Sequence, residues 1–342
     1  AHRRAHQPGS VPAQRLDRLE VGVEGLVVWA ASTYIVKEEM GVGTLTAFIM
    51  FINLFYRPIR MLADRFNTLQ MGIVSTERIL TLLDSTDYIQ NNGTIHADHI
   101  EGKIEFSDVT FAYQEPEWVV KNVSFTVEAG KTCAIVGATG AGKSSIIGLL
   151  GRLYDCQSGE INIDGVPLTS YEIGSLRKNI AVVLQDVFLF SSSIAYNIHL
   201  GDESITQDKM VEAAKAVGVH DFILSLPGGY DYEVKERGAT LSVGQRQLIS
   251  FVRALVHNPK IIVLDEATSS VDSETEVLIQ QAISTLMKGR TAVVIAHRLS
   301  TIRHSDQILV MDKGEIKERG TQDELLALDG LYAQLYHLQF RK

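Results

Sequence analysis

The sequence predicts an α/β fold built on a parallel sheet and preceded by a helical hairpin. Short apolar runs ("TCAIVG", "NIAVVLQ", "KIIVLDEA", "TAVVIAH", "SDQILVMDKG") recur between helix-like stretches. Strands that are apolar throughout, alternating with helices, belong to a parallel sheet covered on both faces. Ahead of them, "KIEFSDVTFAY" and "VVKNVSFTVEAG" alternate polar and apolar residues like antiparallel strands. The third observation is a pair of long apolar runs near the N-terminus.

Those runs are "VGVEGLVVWAASTYIV" (21–36), apolar apart from Glu24, and "GVGTLTAFIMFINLFY" (41–56), which carries no charge. With flanking residues each reaches the roughly 20 residues a membrane-spanning helix needs. Arg15 and Arg18 precede the first run, and Arg57, Arg60, Arg65 and Arg78 follow the second, while the link "KEEM" is net acidic. The positive-inside bias puts both outer ends in the cytoplasm and the link outside. The alternative is a pair of core helices in a soluble domain. In the membrane reading Glu24 is either a substrate or proton contact or a residue near the interfacial end of its helix. Beyond Pro58, "IRMLADRFNTLQMGIVSTERILTLLDS" keeps helical spacing, so the second helix continues out of the membrane.

The 342 residues allow about two domains. Residues 1–18 are an N-terminal remnant given no structure, 19–85 a partial transmembrane domain, 86–101 a linker containing Asn91–Gly93, and 102–342 the α/β domain. A chain that begins with alanine, with no signal-peptide pattern, reads as N-terminally incomplete. A net charge of −9 argues against an electrostatic nucleic-acid binder. Cys133 and Cys156, outside any CxxC spacing, read as reduced thiols.

In "CAIVGATGAGKSS" an apolar strand runs into Gly137-Ala138-Thr139-Gly140-Ala141-Gly142-Lys143-Ser144-Ser145, and the apolar "IIGLL" follows as a helix. This is the P-loop pattern in its strand–loop–helix context. Backbone N–H groups wrap phosphate oxygens, Lys143 reaches the β- and γ-phosphates, and the Ser144 hydroxyl binds Mg²⁺. A second metal partner and a group to orient water are then needed. At the end of "IIVLD", Asp265 holds the ion, directly or through water, and the adjacent Glu266 acts as general base. His297, after "VVIA", contacts the γ-phosphate. Gln185, closing "IAVVLQ", senses Mg²⁺ and water.

"LSVGQ" (241–245) holds no nucleophile, base or metal ligand. As a helix start, Ser242 is the N-cap and Gln245 completes a capping box, leaving N–H groups and a positive dipole end that suit an anion.

In order, "GATGAGKSS", "VVLQD", "LSVGQ", "IIVLDEATSSVD" and "AHRLS" resemble the ATP-binding domain of ABC transporters over about residues 100–342. The resemblance implies a P-loop NTPase fold with an antiparallel β subdomain and a helical subdomain. The hairpin resembles the last two membrane helices of an exporter half-transporter, whose first four helices precede the residues given. It implies that Tyr113 stacks on adenine, that Asp272 ends a loop crossing a dimer interface, and that "VKERGATLS" senses the membrane helices, with Lys235 where glycine is usual. It also implies that "LSVGQ" caps ATP held by the P-loop of a partner, through Ser242 and the Gly244 backbone next to Gln245. Val243 replaces a glycine there, and being β-branched it belongs in ordinary helical geometry.

The activity so implied is MgATP hydrolysis at a dimer interface, driving export of a substrate, hydrophobic compounds being the default. The expected partners are a second half-transporter, identical or different, membrane lipid and a transported small molecule, with no nucleic acid. The protein is then integral to the plasma (inner) membrane with its ATP-binding domain cytoplasmic. A soluble ABC-type ATPase acting on nucleic acid or ribosomes, or the separate ATPase subunit of an importer, explains the motifs but not the uncharged run 41–56.

Overall fold

The structure is a computed structural model and describes residues 11–37, 40–85, 88–265, 273–296 and 302–340. The chain divides into two compact units, Ala1–Tyr88 and Ile89–Lys342.

The first unit is two helices, α1 (Val11–Val36) and α2 (Val42–Leu83). Residues 11–18, given no structure from the sequence, are thus the opening turns of α1. Both helices are long and apolar enough to cross a membrane. At 42 residues α2 extends about 63 Å, twice the hydrocarbon thickness, and it runs through Pro58 without ending. None of its residues is buried within the chain. An apolar helix surface of this kind is at home against lipid or other helices. The polar residues that do face inward meet across the pair. The Asn53 amide donates to the Glu24 carboxylate at 2.7 Å, and Arg60 pairs with the buried Glu20 and lies 3.6 Å from Asp17. Glu20 and Glu24 are one helical turn apart, and Asn53 and Arg60 two turns apart, so all four share one seam.

The second unit holds two sheets. Strands β1 (Ile104–Ala112), β2 (Trp118–Val127), β4 (Ser158–Ile163) and β5 (Val166–Pro167) form an antiparallel sheet in the order β2-β1-β4-β5. Strands β3 (Thr132–Gly137), β6 (Ile180–Val183), β7 (Ile261–Asp265), β8 (Thr291–Ile295), β9 (Gln307–Asp312) and β10 (Glu315–Gly320) form the second, in the order β10-β9-β3-β8-β7-β6. It is parallel except for the edge pair β10–β9. The helices are α3 (Lys143–Leu150), α4 (Ile173–Asn179), α5 (Ile194–His199), α6 (Gln207–Val217), α7 (His220–Ser225), α8 (Val243–Val256), α9 (Ser273–Met287), α10 (Gln322–Ala327) and α11 (Leu331–Phe340).

The central strands are apolar throughout because each feeds two cores. Ala134, Val136, Ile262, Leu264, Ala292 and Val294 point to one, completed by α6, α8 and α9. Cys133, Ile135, Ile261, Val263, Val293 and Ile295 point to the other, completed by α3 and the antiparallel sheet. Burial of Cys133 pushes its thiol pKa up to about 12, so it behaves as a small apolar side chain.

Residues 89–103, which contain most of the expected linker, are fastened along the second unit. The Gln90 carbonyl accepts from Arg152 at 3.0 Å, Asn91 exchanges hydrogen bonds with Glu172 and the Ile173 N–H, and the Ala97 N–H donates to Ser175. Gly93 passes so close that a Cβ there would lie 1.9 Å from the Tyr171 carbonyl oxygen. The exposed Glu172 carboxylate is held below the usual carboxylate range by the Gly174 and Ser175 N–H groups and the Asn91 amide.

Candidate nucleotide-binding site

Strand β3 lies between β9 and β8, and its carboxyl end opens into the loop that α3 closes. Gly142, the N-cap of α3, has φ +97°, where side chains other than glycine's are strained, and a Cβ on it would sit 2.6 Å from the Val119 carbonyl oxygen. Gly137 is hemmed in by Met311, whose carbonyl oxygen would lie 2.2 Å from a Cβ. The cradle around Ala138, Thr139, Gly140 and Ala141 is therefore built of backbone held by its neighbours. Lys143 is mostly buried, and its ammonium donates to the Gly137 and Ala138 carbonyls at 2.8 and 2.9 Å. Burial lowers its pKa from the ordinary lysine value, partly opposed by the Asp265 carboxylate.

The Ser144 hydroxyl lies 3.5 Å from the Asp265 carboxylate, at the end of β7. In β6, Val183 is paired with Leu264, so Gln185 leaves the sheet at the same carboxyl edge as Asp265. A hydroxyl, a carboxylate and an amide oxygen form the hard donor set that Mg²⁺ takes alongside phosphate oxygens and water, so these residues fit that ion. Glu266, Asp272 and His297 lie outside the described residues. Among the described residues, Asp265 pairs with Ile295 across β7 and β8.

Tyr113 follows β1 and is half exposed. Its hydroxyl is 3.1 Å from that of the buried Ser145 on α3. Tyr154, which the sequence reading passed over, stands edge-on to Tyr113 with ring centres 5.1 Å apart. The signal available was "RLYD", an aromatic one turn past the P-loop helix.

At α8, Ser242 is the N-cap and forms the capping box with Gln245 that the S-x-x-Q spacing predicts. Val243 is the first helical residue, in ordinary helical geometry and half exposed, and Gly244 is buried behind it. Arg246, also unremarked in the sequence, donates to the Leu241 and Gly238 carbonyls at 2.7 and 3.3 Å. It thereby ties the turn Glu236–Gly238 to the start of α8.

A parallel sheet with this loop between β3 and α3, a hydroxyl–carboxylate pair beside it and a second capped helix start defines a P-loop nucleotide-binding domain. Residues 120–269 match the family model described as ABC transporter, so the chain carries an ABC transporter ATP-binding domain. It is 46% identical over 316 residues to an uncharacterized ABC transporter ATP-binding protein of Bacillus subtilis, YknV, covering 92% of this chain and 52% of that protein. It is 47% identical over 300 residues to a probable multidrug resistance ABC transporter ATP-binding/permease protein of the same organism, YheH, covering 88% and 44%. With the ATP-dependent lipid A-core flippase of Haemophilus influenzae it shares 43% identity over 317 residues, covering 92% and 54%. Among solved structures, a bacterial Atm1-family ABC exporter with ATP bound matches with a TM-score of 0.72 and 36% identity, covering 96% of this chain and 57% of that one. The chain spans about half the length of these relatives.

Proposed function

We propose that this chain is part of an ATP-driven exporter in which two ATP-binding domains close on MgATP and hydrolyse it to move a hydrophobic compound, drug or lipid across the plasma (inner) membrane. The observation that carries the reading is the glycine-walled loop at the end of β3, with the buried Lys143 ammonium on its carbonyls and the Ser144–Asp265 hydroxyl–carboxylate pair beside it. The hairpin and the names of the relatives support export rather than a soluble role.

In this reading Lys143 leaves its loop carbonyls for the β- and γ-phosphates. Ser144, Asp265 and Gln185 would hold a magnesium ion, which when bound would neutralise charge on the phosphate oxygens. Glu266 takes the proton from the attacking water, and His297 contacts the γ-phosphate. Tyr113 stacks on the adenine. Ser242 and the Gly244 backbone, beside Gln245, cap the γ-phosphate held by a partner domain, and Asp272 lies at the same interface. Every one of these positions is present on this chain, which fits pairing with an identical half-transporter or serving as the competent half of an unequal pair. The γ-phosphate favours the closed pair because it touches both domains, and hydrolysis removes that preference. The α2 helix, longer than a membrane is thick, would carry the change between the membrane and its cytoplasmic end.

The test is Glu266→Gln. ATP binding is retained and multiple-turnover hydrolysis is lost; turnover at the wild-type rate removes Glu266 from its role.

A further inference from the structure

The geometry assigns Tyr154 as a positioning residue that sets the Tyr113 ring for the nucleobase; the inference rests on the nucleotide reading above. Three rings lie together beside the P-loop helix. Phe111, buried in β1, meets Tyr113 edge-to-face at 4.9 Å and 81°. Tyr113 meets Tyr154 edge-to-face at 5.1 Å and 86°, and Phe111 and Tyr154 are tilted at 5.4 Å. Edge-to-face packing of this kind fixes the plane of a ring as well as its position, because the positive edge of one ring seeks the negative face of the next.

Tyr154 is itself anchored to α3. Its ring covers Gly148 so closely that a Cβ there would lie 3.3 Å away. The turn that brings it back is closed by the Leu153 N–H on the Gly148 carbonyl at 2.8 Å. Tyr113 reaches the same helix face through its hydroxyl, 3.1 Å from Ser145. Ser145 and Gly148 are three residues apart on α3 and so lie on one face. Tyr113 belongs by sequence to the end of β1, yet its hydroxyl and its ring are both referred to the helix whose first turn holds Lys143 and Ser144. A base stacked on Tyr113 is thereby held in fixed relation to the phosphates.

Both tyrosine rings keep solvent-exposed surface, Tyr113 at 53% and Tyr154 at 43%, so the pair is not simply core packing. Removing Tyr154 leaves Tyr113 its hydroxyl contact and Phe111 but removes one of the two rings that fix its plane. The loss should fall on base recognition and not on phosphate binding.

The experiment compares the affinity of the full chain for ATP and for inorganic tripolyphosphate by titration calorimetry in metal-free buffer, where no hydrolysis intervenes. For Tyr154→Ala, ATP affinity falls roughly three- to tenfold, the scale of one aromatic pair, while tripolyphosphate affinity stays at the wild-type value. Tyr154→Leu, which keeps a large apolar group on Gly148, shows the same selective loss, and Tyr154→Phe retains the wild-type ratio. An unchanged ratio in Tyr154→Ala and Tyr154→Leu, or equal losses for both ligands, overturns the assignment. A wild-type chain that binds ATP no better than tripolyphosphate overturns the base-stacking role of Tyr113 instead, a separate failure.

Discussion

The Lys143 ammonium donates to the Gly137 carbonyl six residues earlier in its own loop, at 2.8 Å. The lysine is thus held by carbonyls of its own loop, and its charge is only partly compensated by peptide dipoles. Burial has already lowered its pKa, and phosphate oxygens would raise it again. The free state has the lower pKa and the bound state the higher. Affinity for tripolyphosphate is therefore full below the free-state pKa and declines as pH rises through it. Titrations from neutral to alkaline pH should show that decline earlier than an ordinary lysine would give. Lys143→Met, weaker by about 10- to 100-fold at neutral pH, should lose this lysine-dependent decline.

Gly142→Ala places a Cβ at φ +97° against the Val119 carbonyl. The strain and the clash together cost about 2–4 kcal/mol. Thermal unfolding should register it as a lowered Tm, and nucleotide binding should fall because the first N–H groups of α3 are displaced.

The Ser144–Asp265 pair predicts a specific metal dependence. The wild-type chain should bind a non-hydrolysable ATP analogue more tightly with Mg²⁺ than in EDTA. Asp265→Asn should bind it equally in both. Retention of the Mg²⁺ effect in that variant removes Asp265 from the ion's site.

Arg152, almost fully buried, donates to the carbonyls of Gln90, Leu168 and Tyr171 and approaches Asp155 at 3.4 Å. Arg152→Ala leaves these acceptors without their cation and should cost about 2–3 kcal/mol. The Tm drop is roughly 4–12 °C for a unit of this size. Hydrogen exchange should show residues 89–97 losing protection before the sheet does.

Local pattern carried most of the fold. The parallel strands were legible because side chains alternating between two cores leave no polar face, and α8 because Ser242 and Gln245 are one turn apart. The loop between β3 and α3 was legible for a similar reason, since Gly137, Gly142, Lys143 and Ser144 are set by their spacing along one segment. What stayed hidden depends on contacts between distant segments. Residues 89–103 have the composition of a linker, yet groups more than 60 positions away, Arg152, Asp164, Glu172 and Ser175 among them, fasten them. Arg246 has no local signature, and "RLYD" marks an aromatic at Tyr154 without naming the ring it meets, because what each does is set by a carbonyl or a ring met in the folded chain.

The central claim is that two ATP-binding domains close on nucleotide through the helix start at Ser242. The most direct measurement is the solution mass of residues 89–342 carrying Glu266→Gln, by light scattering, with and without MgATP. A shift to twice the monomer mass with MgATP, abolished by adding Ser242→Ala, is the predicted result. A mass that stays monomeric while MgATP is bound, or a dimer indifferent to Ser242, would contradict it.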